Sequence, residues 1–127
     1  MATKDPTEKR GHITGIGGVF FRARQRDELA GWYRDVLGLP VTDSATAKMG
    51  TTVWAAFDQD TPYFGPSRQE LMVNYRVDDL EAALERLRGA GATVAPTIDE
   101  DDYGRFAWAE DPEGNRFELW QPAPGSY

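Results

Sequence analysis

The sequence contains no cysteine and a single histidine, His12. Without cysteine the 127-residue chain has no disulfide, no thiolate nucleophile and no cysteine-based zinc or iron–sulfur site. With one histidine it cannot assemble several imidazole ligands within one chain. These absences exclude many common kinds of metal and redox chemistry.

Basic residues are the minority, because 14 Lys and Arg stand against 21 Asp and Glu and give a formal charge of −7. This balance argues against binding to phosphate backbones, so we expect no nucleic-acid partner. No apolar run approaches the length of a membrane span, and the N-terminal sequence MATKDPTEKR lacks the apolar stretch of a signal peptide. We therefore expect a cytoplasmic domain with no membrane partner.

Aliphatic residues and Phe are also scarce, which at this charge raises the question of disorder. Four Trp and five Tyr argue against it, because disordered chains are poor in aromatic residues and each ring buries a large area. The length is that of one ordinary domain. We predict a single domain with a core rich in aromatic side chains.

Strand and helix patterns occur in the same order twice. Ile13–Ala23 reads as a strand and is followed by a predicted helix over about Asp27–Leu37, with apolar residues on one stripe. Leu71–Val77 reads as a second such strand, followed by a helix with Asp78 as predicted N-cap and Glu81 at capping-box spacing. Further strands are predicted at Thr51–Phe57 after the first helix, and at Thr93–Pro96, Tyr103–Ala109 and Asn115–Gln121 after the second.

This repetition suggests one unit used twice. We predict a flexible arm over residues 1–11, a single domain over residues 12–121, and a tail over residues 122–127. Within the domain, the first module covers about residues 13–66 and the second about residues 69–121.

Four stretches resemble the vicinal oxygen chelate superfamily, the group of glyoxalases, bleomycin-resistance proteins and extradiol dioxygenases. They span roughly residues 13–121 and are ITGIGGVFFRA, GWYRDVLGLPV, RVDDLEAALERLRGAGATV and GRFAWAEDPEGNRFELWQP. The resemblance implies an α+β fold of two βαβββ modules, whose curled mixed sheets form a cleft. It also implies that dimerisation completes the cleft, so we expect a homodimer.

Metal-dependent members of this superfamily hold a divalent ion with four inward side chains, mostly His and Glu, and the ion chelates adjacent substrate oxygens. Carried over by the resemblance, these positions fall at Gly18, within Thr51–Phe57, at Met72 and at Glu118. Glu118 alone matches, and Glu70 is a weak second candidate because it shares a strand face with Met72. We expect no cofactor, and a divalent metal is disfavoured.

Glu118 and Trp120 alternate with apolar residues that we expect to pack beneath a helix, so both should face the cleft. Two interpretations of Glu118 stay open. It pairs with an arginine, Arg76 or Arg116, as a purely structural residue. Alternatively it is a catalytic base or ligand anchor, with its pKa raised by desolvation beside Trp120 and Trp54.

Aromatic and polar side chains on the predicted cleft strands, and on the loop before Leu71, are candidates for binding a ligand. Rings can stack on a planar molecule, while an inward Asn or Arg can anchor a carbonyl or carboxylate group. The candidate ligand-binding residues are Phe20, Trp54, Tyr63, Phe64, Met72, Asn74, Arg76, Trp108 and Trp120.

Three functions remain open. The first is a metal-free protein that binds a small planar or aromatic molecule in a cleft completed by a homodimer. The second is a lyase, isomerase or dioxygenase-like enzyme that uses Glu118 as a base or as part of a weak divalent-metal site. The third is a non-catalytic scaffold.

Overall fold

A computed structural model of the chain describes residues 10–42, 44–66 and 68–125. Within these residues the order of elements is β1 (Ile13–Ala23), α1 (Arg26–Leu37), β2 (Thr46–Met49), β3 (Thr52–Asp58), β4 (Leu71–Val77), α2 (Leu80–Gly89), β5 (Asp99–Asp101), β6 (Gly104–Glu110) and β7 (Arg116–Pro122). Neither helix of this described part has the length and apolar character needed to cross a membrane.

The strands form one curled mixed sheet in the order β2-β3-β1-β4-β7-β6-β5. β1 and β4 run antiparallel at its centre, and each pairs in parallel on its other side, β1 with β3 and β4 with β7. Each half therefore repeats one arrangement, which confirms the predicted α+β fold. In the described residues the first half has one strand fewer, because β5 has no counterpart there.

Helix α1 covers the β1–β3 half of the sheet with only part of its predicted apolar stripe. Ala30 is buried against small residues, including Ala23 and Ala56, and Leu29 packs beside them. Trp32, Val36 and Leu37 of the predicted stripe reach beyond this contact and are 52%, 58% and 66% exposed.

The N-cap of α2 is Asp79 rather than the predicted Asp78, since the Asp79 side chain accepts a hydrogen bond from the backbone N–H of Ala82. Asp78 instead accepts hydrogen bonds from the backbone N–H groups of Gly11, at 2.7 Å, and His12, at 3.0 Å. The end of the predicted arm is thus bonded to the domain at Gly11. Residues 1–9 lie outside the described residues.

The segment predicted as a strand at Thr93–Pro96 makes only an isolated bridge, between Val94 and Ala109. Pro96 has no N–H group to continue a ladder, and the strand of this region, β5, begins three residues later. β7 includes Pro122, the first residue of the predicted tail. Residues 126–127 of that tail lie outside the described residues.

The two helices lie on one face of the sheet. Leu80, Ala83 and Leu84 of α2 pack on Val77 and Leu119. The opposite face carries its own buried cluster, made by Phe20, Ala55, Phe64, Met72 and Trp108. This second cluster supports the cavity described next.

Candidate functional site

A cavity of about 350 Å³ opens on the sheet face opposite the helices. Polar groups come from Glu118 and Asn74, and from Thr46 and Lys48 on β2. The walls are mostly aromatic and are made by Phe20, Val53, Tyr63, Tyr103, Phe106 and Trp120.

A larger depression, of about 790 Å³, lies beside α1 and is lined by residues such as Leu29, Trp32 and Glu28. It is on the helix side, and none of the candidate ligand-binding residues lines it. The aromatic cavity is therefore the candidate site.

Glu118 is 1% exposed and receives hydrogen bonds on both carboxylate oxygens. Asn74, its register partner on β4, donates from Nδ2 to Oε1 at 2.5 Å. The Tyr63 hydroxyl group donates to Oε2. The donors are thus an amide and a phenol, not the arginines Arg76 and Arg116 considered from the sequence.

Burial raises the pKa of Glu118, while hydrogen bonds from Tyr63 and Asn74 and the charge of Arg116 act in the lowering direction without cancelling it. Burial and the neighbouring carboxylate also raise the pKa of the Tyr63 phenol. Tyr63 therefore stays protonated as a donor, and Glu118 can exchange a proton nearer to neutral pH than an exposed glutamate.

The position of Tyr63 is fixed by ring contacts, although it comes from the loop between β3 and β4. Its ring stacks on Phe57 with centroids 5.0 Å apart and an interplanar angle of 13°. It meets Trp108 edge-on at 6.0 Å and Phe20 at 6.2 Å. These contacts hold the hydroxyl group on Glu118.

Phe106 and Trp120 form an apolar wall of two parallel rings. They are register partners on β6 and β7, and their rings stack at 5.8 Å with an interplanar angle of 9°. The indole N–H of Trp120 donates to the carbonyl oxygen of Tyr103 at 2.8 Å, which fixes the orientation of the ring. Such a wall suits stacking against a planar molecule.

A register shift in β1 between Ile16 and Gly18 brings Gly17 into the cavity lining. A Cβ atom on Gly17 would lie 2.2 Å from Asn74 Oδ1 and 2.9 Å from a Trp120 ring atom. The backbone therefore approaches both side chains as only glycine allows. Gly18, by contrast, does not face open space, since a Cβ there would lie 2.7 Å from the Phe20 ring.

Trp54 faces α1, so the expectation that it faces the cleft is wrong. Its ring packs against Phe21 at 4.9 Å and Tyr33 at 5.2 Å. The reason is the register of β3, which pairs Trp54 with Val19 and puts it on the helix side.

Arg76 is not among the residues lining the cavity, because its guanidinium group bonds the backbone. One nitrogen donates to the carbonyl oxygens of Ile16, at 2.8 Å, and Thr51, at 2.5 Å. It thereby ties β1 to the turn before β3.

Phe64, Met72 and Trp108 lie behind the cavity lining in the buried cluster rather than in the lining itself. Phe64 and Met72 are fully buried. Glu70 is exposed, near Arg22 at the far end of β4, and so does not join Glu118.

The donor set does not fit the metal centre implied by the superfamily resemblance. Both oxygens of Glu118 accept hydrogen bonds from the protein, and Met72 is enclosed by apolar side chains. In residues 10–42, 44–66 and 68–125, no group of three or more His, Cys, Asp or Glu side chains could hold an ion.

Several lining residues were not identified from the sequence, namely Gly17, Thr46, Lys48, Val53, Tyr103 and Phe106. Phe106 could have been found, because it lies two residues before Trp108 and so shares a face of the predicted strand with it. Thr46 and Lys48 were not found because β2 is only four residues long, and its two alternating apolar residues, Ala47 and Met49, are too few to predict a buried face.

Comparison with protein families gives a match to the glyoxalase-like domain over residues 18–120. Comparison with curated protein sequences gives no significant match. Among solved structures, methylmalonyl-CoA epimerase from Mycobacterium tuberculosis is similar at 20% identity and a TM-score of 0.69, covering 94% of this chain and 95% of that one.

A Streptomyces coelicolor methylmalonyl-CoA epimerase variant in complex with 2-nitronate-propionyl-CoA is similar at 17% identity and a TM-score of 0.70, covering 88% of this chain and 99% of that one. A glyoxalase/bleomycin resistance protein/dioxygenase superfamily member from Vibrio splendidus is similar at 14% identity and a TM-score of 0.59. The match covers 83% of this chain and 96% of that one.

The fold and its cavity define a protein of the vicinal oxygen chelate superfamily. Within it, the chain belongs to the glyoxalase-like domain family.

Proposed function

We propose that this protein binds a small planar or aromatic molecule in the aromatic cavity, without a metal ion. The observation that carries the proposal is the stacked pair of Phe106 and Trp120 beside the buried carboxylate of Glu118. A planar ligand would lie against these rings and gain apolar burial, while Glu118 and Asn74 would orient its polar edge.

Binding of naphthamide, a neutral planar amide, tests this proposal by isothermal titration calorimetry. We expect saturable binding that is unchanged by EDTA and weakened about tenfold or more in Phe106→Ala, which removes half of the stacked wall. Trp32→Ala is the matched control, because Trp32 is an exposed aromatic residue of α1. Affinity that depends on added divalent ions would contradict the metal-free proposal.

We also propose that the protein is a cytoplasmic homodimer. Large apolar side chains of β1 and α1 are exposed, among them Ile13, Ile16, Val36 and Leu37, and a second copy could cover such surfaces. Sedimentation velocity at micromolar concentration tests this expectation. A single species of monomer mass would contradict it.

A second candidate is an enzyme of the lyase or isomerase type with Glu118 as its base. The raised pKa of a buried carboxylate inside a cavity favours this alternative, and each oxygen keeps one lone pair beyond the hydrogen bonds from Tyr63 and Asn74. Two of the three similar structures named above are methylmalonyl-CoA epimerases, at 20% and 17% identity. Deuterium incorporation into methylmalonyl-CoA in D₂O, lost in Glu118→Gln, would support it.

A scaffold without a ligand is the outcome if no planar molecule binds and no deuterium exchanges. In that case the cavity is a by-product of the fold, and Tyr63 and Asn74 serve only to stabilise the buried Glu118.

A further inference from the structure

We infer that the molecule bound in this cavity is a planar organic cation, such as an aromatic amidinium or a protonated nitrogen heterocycle. This inference rests on the proposed function and names the chemical class of its ligand. Three features carry it: the hydrogen-bonding groups of the cavity, the charge at its rim, and its aromatic walls.

The polar side chains deep in the cavity offer acceptors rather than donors. The Tyr63 hydroxyl and the Asn74 amide both donate to Glu118, and the Trp120 indole donates to the Tyr103 carbonyl. Asn74 Oδ1, in contrast, is buried and accepts no hydrogen bond within the described part of the chain, while the unpartnered donor Trp108 Nε1 lies behind the lining. A ligand with N–H groups complements this set, whereas a carboxylate or phosphate does not.

The rim adds negative charge on the same face. In the β5–β6 ladder Asp99 is the register partner of Phe106, and partners across a ladder share a face, so Asp99 and Asp101 lie on the cavity side. Glu100, between them, faces the other way and lies 3.5 Å from Arg105. Among the described residues no cation forms an ion pair with Asp99 or Asp101.

Lys48 is the counter-charge of the lining and lies on β2, at the opposite edge of the sheet from β5. It is exposed, and its one ammonium group stands against the two carboxylates of Asp99 and Asp101 even before Glu118 is counted. The cavity-facing side chains named here therefore carry a negative balance. An acidic site of low dielectric concentrates cations and repels anions.

The walls are suited to a cation as well as to a planar shape. Aromatic faces attract cations within about 6 Å of the ring centroid, most strongly at Trp. Phe106 and Trp120 present two parallel, stacked rings at one wall, and Tyr63 holds a third ring beside Glu118. An amidinium group could thus pair with the carboxylate while its ring system stacks on the wall.

Three probes with one ring system test the inference: naphthamidine, naphthamide and naphthoate, substituted at the same ring carbon. They differ in charge and hardly in shape. By isothermal titration calorimetry at low salt, we expect naphthamidine to bind about tenfold or more tighter than naphthamide, and naphthoate to bind weakest.

Two sets of variants locate the effect. Glu118→Gln should reduce the preference for naphthamidine over naphthamide to the part that the rim carboxylates supply. The double variant Asp99→Asn with Asp101→Asn should weaken naphthamidine about threefold to tenfold at low salt and reduce its salt dependence. The matched control removes the same charge from the other face, with Glu81→Gln and Glu100→Gln, and should leave binding unchanged. Asp99 and Asp101 are exposed, so the double variant at these two positions tests the inference even if Glu118→Gln fails to fold.

The outcomes separate the two proposals. Equal binding of the three probes, or tighter binding of naphthoate, would overturn the cation inference and leave the proposed function intact. Absence of binding by all three probes would overturn the proposed function and the cation inference with it.

Discussion

The hydroxyl group of Tyr63 donates a hydrogen bond to Glu118, although 55 residues separate the two along the chain. Tyr63 belongs to the first half of the sequence repeat and Glu118 to the last strand, so the contact joins the two halves across the cavity. A buried carboxylate is unfavourable without such donors. The hydrogen bond from the Tyr63 phenol therefore offsets part of the cost of burying Glu118.

Replacing Tyr63 by Phe should destabilise the protein, because Oε2 of Glu118 loses its donor while the ring contacts remain. An unsatisfied buried acceptor costs about 1–3 kcal/mol. Urea unfolding measures the loss. Tyr103→Phe is the control, since Tyr103 is 66% exposed and its loss should change the free energy of unfolding by less than about 0.5 kcal/mol. Equal effects of the two substitutions would contradict the role given to Tyr63.

The stability of the protein should carry a signature of Glu118 in its pH dependence. Because burial raises the pKa of Glu118 in the folded state, folding favours the protonated form. Its contribution to the free energy of unfolding is complete below the ordinary glutamate value of about 4.3 and is lost as the pH rises through the folded value. The stability of the wild type relative to Glu118→Gln should therefore fall with rising pH.

Urea unfolding of both proteins between acid and neutral pH tests this trend. The exposed Glu113, in the turn before β7, supplies the control, and the wild type relative to Glu113→Gln should lack the decline. A difference between wild type and Glu118→Gln that grows with pH would mean that Glu118 is stabilised in its charged form.

Gly17→Ala should damage the cavity. The added Cβ atom would lie 2.2 Å from Asn74 Oδ1 and 2.9 Å from the Trp120 ring, so the side chains of Asn74 and Trp120 must both shift. We expect the affinity for naphthamide to fall about tenfold or more, as misplacement of a pre-formed site predicts. Gly89→Ala is the control, because nothing lies within 4 Å of a Cβ atom at that position. Unchanged affinity in Gly17→Ala would show that the close approach is unimportant for binding.

Substitution of Trp54 should lower the stability of the protein, whereas substitution of Trp120 should lower its affinity for the ligand. Trp54→Leu removes ring contacts with Phe21 and Tyr33 and should destabilise the protein by about 2–4 kcal/mol, with no change in affinity for naphthamide. Trp120→Leu should weaken naphthamide binding strongly, because half of the stacked wall is lost. Calorimetry on both variants measures this, and a large loss of affinity in Trp54→Leu would contradict its placement on the helix side.

The fold was predictable because its signals are local and repeated. The alternation in β4 and β7 separates Tyr75 and Leu119, which pack on the helix side, from Asn74 and Glu118, which lie in the cavity. The resemblance over residues 13–121 supplied the arrangement of the two modules. The match to the glyoxalase-like domain and the order of the strands confirm it.

Details of the site were less predictable because they depend on register. Large apolar residues occur on both faces of β3, so its alternation could not show that Val53 lines the cavity while Trp54 packs on α1. The shift that brings Gly17 rather than Gly18 into the lining is likewise a property of strand pairing. The bond between Tyr63 and Glu118 depends on a loop whose path no periodic pattern describes. The role of Tyr63 and Glu118 in ligand binding stays a prediction.

The four indole N–H signals of the protein can locate a ligand in this cavity, since each tryptophan reports a different location. In a ¹H–¹⁵N correlation spectrum titrated with naphthamide, we predict progressive shifts of Trp120, in the cavity wall, and of Trp108, behind it. Trp54, packed on α1, and the exposed Trp32 should not move. Shifts confined to Trp32 or Trp54, or no shift of Trp120 at saturating naphthamide, would contradict a ligand site in this cavity.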